Sequence, residues 1–287
     1  KMLGEGNTTY LMAATGSLAA MIDFFPAGPG AMSARIDYMR FSGVPADGTN
    51  FTGKAIRAVS ATMIDSIISN CWFSILNAAT GAFYGNAVGA IFLNNVFELG
   101  STQLVFLPPS SNITINNARF FRIYDEAINF VGAAPGDMAF AVLNDVQFAE
   151  HQRGSAIKAR YLHGLTVQGL VFEASANADT LTMKVLDLQN TDAQLSNIRT
   201  RGFVASGLTK ITEVLETTNS NIIWDGGYIG GTLTNGSGTV NAIKVLAGTV
   251  NLRASNLYID NMQADAIVLQ SALGDISFDN IEVNAPF

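Results

Sequence analysis

The hexapeptide Ile68-Ser-Asn-Cys-Trp-Phe73 reads apolar, any, Asn, any, any, aromatic. The same phrase returns as Phe92-Leu-Asn-Asn-Val-Phe97, Ile115-Asn-Asn-Ala-Arg-Phe120, Leu143-Asn-Asp-Val-Gln-Phe148, Val167-Gln-Gly-Leu-Val-Phe172 and Leu195-Ser-Asn-Ile-Arg-Thr200. Later copies align as Ile223-Trp-Asp-Gly-Gly-Tyr228, Arg253-Ala-Ser-Asn-Leu-Tyr258 and Phe278-Asp-Asn-Ile-Glu-Val283, and an early one is Ile36-Asp-Tyr-Met-Arg-Phe41. The mean spacing is about 27 residues, within the range that marks a solenoid.

A second phrase of Ala, Ile, any, apolar follows several copies, at Ala55, Ala127, Ala156, Ala242 and Ala266. These runs are too short for ordinary helices and read as strands. Each repeat then holds about three short strands separated by turn formers. Asn, Asp or Gly at the third place of the main phrase suits a corner with left-handed backbone. Stacked corners would set the Asn side chains in a hydrogen-bonded column. A helical solenoid would need sustained 3.6-residue periodicity, and the one helix-like stretch, Ser17 to Phe25, is short. Leu107-Pro-Pro-Ser-Ser111 reads as a rigid corner, because proline cannot donate to a strand ladder.

Asn followed three residues later by Phe, with Ala-Ile opening the next coil, resembles the right-handed parallel β-helix of the pectate-lyase-like superfamily. Leu3-Gly-Glu-Gly-Asn-Thr-Thr-Tyr-Leu11 is similar to that group's first-coil phrase. Val171-Phe-Glu-Ala-Ser-Ala-Asn177 resembles a phrase of bacteriophage tailspikes, with looser spacing to the Asn. The resemblance covers nearly the whole chain and bears on scaffold more than on chemistry. The expected fold is therefore all-β, a single parallel β-helix domain over 1–287 of about ten coils. No convincing cap is visible at either end, which suggests a fragment of a longer chain.

The resemblance implies a homotrimeric phage tailspike or tail fibre in the virion tail. It would contact other phage tail proteins and bind, or bind and depolymerise, a bacterial surface polysaccharide such as capsule or O-antigen. A structural virion fibre without activity and a secreted polysaccharide lyase or epimerase remain open alternatives. The low charged fraction, 14%, fits a solenoid with neutral-polar outer faces or one face buried in an oligomer. Net charge is −7 with no basic block, which argues against nucleic acid and favours a neutral or cationic glycan. No apolar run is long enough to insert into a membrane. Cys71 is the single cysteine, so an intrachain disulfide is excluded and a buried structural thiol is expected. No motif for a cofactor or metal is present, and none is expected.

Glycan hydrolysis uses two carboxylates. Glu150 and Glu173 follow the aromatic of their phrases on successive coils, so stacking would bring them together, with Asp125 in reserve. His151, Arg153, Tyr161 and His163 are the candidate substrate-binding residues of the same groove, placed between Tyr124 and Asn177. A lyase would instead draw its base and charge partner from His151, Arg153, Lys158 and Arg160. Each of these carboxylates also has an ordinary reading as a solvated outward side chain. Of Trp224 and Tyr228, both able to stack on sugar rings, at least one belongs to the core.

Overall fold

The computed structural model describes residues 2–3, 10–12, 20–24, 30–43, 53–74, 81–174, 182–201, 210–230, 241–260, 265–270 and 272–284. Among them the strands form one 29-stranded sheet and one two-stranded sheet, and there is no helix. Ala20–Asp23, inside the helix-like stretch, is a strand in register with Lys54–Ile64. Its apolar Ile22 meets Ile56 on the next turn, a contact that an isolated short helix could not replace.

The pairings are parallel, each strand meeting its counterparts one turn before and one turn after. Parallel neighbours need a long crossover, and here the rest of the turn supplies it. The solenoid has about seven turns, fewer than the ten expected. Copies of the phrase mark strands on one side, and a count of strands is not a count of complete turns.

Each turn has three sides. The first carries the opening apolar residue of the phrase: Ile68, Phe92, Ile115, Leu143, Val167 and Leu195 lie in register and buried. The second carries the closing aromatic. The third carries the Ala-Ile phrase, with Ile128, Ile157, Leu186, Leu215, Ile243 and Ile267 in register.

Between the first and second sides the backbone is left-handed at Tyr38, Asn70, Asn94, Asn117, Asp145, Asn197, Asn256 and Asn280, and at Gly169 and Gly226. Asn and Gly tolerate that conformation better than other residues, so the third place of the phrase is a corner by local preference. The Asn column also forms: Asn94 Nδ2 donates to Asn70 Oδ1 (3.2 Å), Asn117 Nδ2 to Asn94 Oδ1 (2.9 Å) and Asn280 Nδ2 to Asn256 Oδ1 (2.7 Å).

Two copies of the phrase are aligned one residue later than expected. The corners fall at Gly226 and Asn256, not at Asp225 and Ser255, so Leu195 is in register with Trp224, and Trp224 with Ala254. Both places offer two adjacent turn formers, and the better left-handed residue takes the corner. Side chains alternate across a strand, so a slip of one residue exchanges inside for outside. Trp224, Ile229 and Ile259 are therefore core, while Ile223, Arg253 and Tyr228 face solvent.

The closing aromatics of the phrase form a column inside the solenoid. Phe41, Phe73, Phe97, Phe120 and Phe148 stack with centroid separations of 4.6, 5.1, 4.6 and 4.9 Å. Phe172 tilts away at 6.3 Å, where the strand register breaks between Phe148 and His151. Cys71 is buried, and burial pushes its thiol up to about 11. Beside it the fully buried Asn95 donates from Nδ2 to Ile68 O (2.8 Å) and accepts at Oδ1 from Cys71 N (2.9 Å), tying two turns together inside the core.

Candidate functional site

The residues expected around Glu150 are held in several different environments. Glu150 has left-handed backbone (φ 53°) and accepts from Arg122 Nε at 2.7 Å on the preceding turn. Glu173 is in register with Arg201 on the following turn. The break after Phe148 inserts an extra residue before His151. Across that break Glu173 stands opposite the Ala149–Glu150 pair, one residue facing two. Asp125 is bound by Arg153 Nε at 2.8 Å and by the Ser101 hydroxyl, and Arg153 Nε also donates to Tyr124 O at 2.7 Å. Glu126 pairs with Lys158 at 2.9 Å. These are ties between turns at the corner after the second side.

His151 points inward, contrary to its expected place in a groove. It is 1% exposed, its ring lies 5.5 Å from Phe172, and neither ring nitrogen is in a well-formed hydrogen bond. Burial pushes its pKa down to about 4, so the ring is neutral at physiological pH. Tyr161 is a half-buried corner residue with φ 52°. His163 alone of the expected residues reaches open surface beside a groove, and its Nδ1 lies 2.5 Å from Asp192 Oδ2.

Stacking does bring two carboxylates into direct register, on the third side: Asp187 faces Glu216. Both side chains are only 8% exposed. Lys184 Nζ lies 2.5 Å from Glu216 and Arg160 Nη2 lies 3.6 Å from Asp187, while Lys244 Nζ is 3.0 Å from Glu213. Charges this covered persist because they are paired, and their arrangement is that of an ionic ladder between turns.

The groove itself lies on the first side, with a volume of about 380 Å³. One wall is a column of residues at the corner that opens this side, Gly164, Asp192, Asn221, Asn251 and Asp275, with Asp192, Asn221 and Asn251 in register and Gly164 and Asp275 each one place before a paired residue. Asn221 Nδ2 donates to Asp192 Oδ1 and Asn251 Nδ2 to Asn221 Oδ1, both at 2.6 Å, and Asp275 N donates to Asn251 Oδ1 at 3.0 Å. The floor is made by the outward residues two places on, Thr166, Gln194, Ile223 and Arg253. Ile223 is 52% exposed. The groove thus offers amides and carboxylates in a row beside a partly apolar floor, repeated once per turn.

Sequence reasoning missed this surface, although a signal exists. In Asp192-Ala-Gln-Leu195, Asn221-Ile-Ile-Trp224 and Asn251-Leu-Arg-Ala254, an Asx precedes the inward residue by three places. The one-residue misalignment at Ile223 and Arg253 hid that regularity. Among the described residues no group of His, Cys, Asp and Glu is arranged to hold a metal ion.

No protein-family model matches the chain, and no curated protein matches it. Solved structures do. PfbA, a surface adhesin of Streptococcus pneumoniae, superposes with a TM-score of 0.55 at 10% identity, over 96% of this chain and 75% of that one. The Agl-KA catalytic domain gives 0.48 at 14% identity, over 93% and 58%. Endo-xylogalacturonan hydrolase from Aspergillus tubingensis gives 0.47 at 11% identity, over 94% and 74%. Identity this low speaks for a shared β-helix fold and for nothing finer.

Proposed function

We propose that this β-solenoid is a tailspike- or fibre-like element of a phage virion that binds a bacterial surface polysaccharide along the first-side groove. The observation that carries the reading is the groove's repeat. Its hydrogen-bonding groups recur at the spacing of stacked strands, about 4.8 Å, similar to the length one sugar adds to an extended glycan. A polymer laid along the axis would meet equivalent amide and carboxylate groups at each sugar. The adhesin of like fold is an example of a β-helix that serves attachment, so the scaffold suits binding without cleavage.

Binding is favoured over depolymerisation because Glu150 and Asp125 are each engaged by an arginine and Glu173 is in register with another, Arg201. The assembly is a homotrimer, consistent with the low charged fraction, and its place is the virion tail. Light scattering on the purified protein should return three copies; a stable monomer would remove the fibre reading.

The binding test uses the groove floor. Ile223→Arg should block adsorption to host polysaccharide while leaving the fold intact, since Ile223 is half exposed already. If Ile223→Arg and Gln194→Arg both adsorb as well as the wild type, the groove is not the binding surface.

A further inference from the structure

The corner that opens the first side can be followed below the groove. Asn112, Phe140 and Gly164 continue the column in register, and Gly89 precedes Asn112. Gly89, Asn112, Phe140 and Gly164 all have left-handed backbone, with φ 68°, 54°, 53° and 75°. Glycine and asparagine are at home there, and a bulky aromatic is not. Phe140 is the departure from the pattern.

The ring is packed only on its underside, against the next turn. The Phe140 side chain is 59% exposed, although its column neighbours show that a small polar residue closes the same corner. Its ring lies over Gly164: a Cβ at 164 would stand 2.7 Å from Phe140 Cδ1 and 3.1 Å from Cε1. Gly164 is the first residue of the groove wall. The exposed ring therefore sits at the end of the polar row Asp192, Asn221, Asn251. Bulky residues take left-handed corners elsewhere in the chain, at Tyr38, Leu99 and Tyr161; what sets Phe140 apart is a largely exposed aromatic face at the end of a polar groove.

We propose that Phe140 is the stacking platform for a terminal pyranose of a neutral polysaccharide whose following sugars lie along the Asp192–Asn221–Asn251 row. This rests on the glycan-binding reading and specifies its ligand. A pyranose has an apolar C–H face for the ring and equatorial hydroxyls for the amides and carboxylates of the row. The charge argues for a neutral chain. Asp192 and Asp275 line the groove against one guanidinium, Arg253, and the whole chain carries −7, so a uronate polymer would be repelled.

The test is an array of neutral and uronate-bearing bacterial polysaccharides, probed with the wild type, Phe140→Asn and Phe140→Trp, followed by titration of the neutral glycan captured best. Phe140→Asn reproduces the residue already used at position 112, so it should melt at or above the wild-type temperature. It should nevertheless bind about tenfold more weakly, the loss of one stacking contact worth about 1.4 kcal/mol. Phe140→Trp should keep affinity. Wild-type affinity in Phe140→Asn, a loss no greater than its unfolded fraction, or a preference for uronate polymers would each overturn the proposal. If Ile223→Arg abolishes capture while Phe140→Asn does not, the platform fails and the groove reading stands. If the wild type captures no glycan, both fall.

Discussion

Replacing His151 with Leu should flatten the acid sensitivity of this protein. In the folded chain the imidazole is 1% exposed and packed near Phe172, with neither nitrogen in a well-formed hydrogen bond, and burial lowers its pKa to about 4 from an ordinary 6.5. The nearby charges of Asp125 and Glu126 and the Arg153 backbone act in the opposite direction and are outweighed. A depressed histidine pKa means that the unfolded chain binds the proton first. Its contribution is fully present above about pH 6.5 and is lost as the pH falls towards 4. Linkage puts the loss at about 2 kcal/mol between pH 7.5 and 5, and roughly 3 kcal/mol by pH 4. Paired carboxylates add their own loss at the acid end, common to wild type and variant. The difference between the two denaturant-unfolding profiles therefore reports His151 alone. At pH 7.5 the Leu variant should also gain about 1 kcal/mol, because a buried ring with poorly satisfied nitrogens is removed. An NMR titration of the ring gives the direct value. A pKa near 6.5, or a Leu variant whose stability falls with acid as steeply as the wild type, would refute the reasoning.

Phe97→Ala should cost about 3–5 kcal/mol, because the ring is fully buried between Phe73 and Phe120; an unchanged unfolding midpoint would contradict the column. Asn94→Ala should cost about 1–2 kcal/mol from lost ladder bonds and a strained corner, and Asn94→Gly less, since only the ladder is lost; equal losses would show that backbone strain contributes nothing there. Glu150→Gln and Glu173→Gln should leave polysaccharide adsorption unchanged. A depolymerisation assay in which either variant lowers turnover by orders of magnitude would restore the carboxylate-pair reading.

The fold was legible in the chain because its signals are local. Asn70, Asn94 and Asn117 mark corners because left-handed backbone is a property of a single residue, and Phe73 to Phe148 mark the interior because strand alternation fixes which side they take. Where two turn formers are adjacent, as at Asp225-Gly226 and Ser255-Asn256, local preference does not choose between them by inspection. Pairing with the neighbouring turn chooses, and with it Trp224 goes inside and Ile223 and Arg253 go out. The site depended wholly on such choices. Intervals between copies of the phrase are unequal, so a residue's place after its own aromatic does not predict what lies above it. Glu150 and Glu173 read as equivalent places in the sequence, but the extra residue before His151 sets Glu173 against the Ala149–Glu150 pair and gives Glu150 left-handed backbone. The groove is assembled from outward residues of successive turns, each unremarked in its own stretch of sequence. Only the stacking register sets Asp192 beside Asn221 and Asn251, and only it sets the Phe140 ring over Gly164.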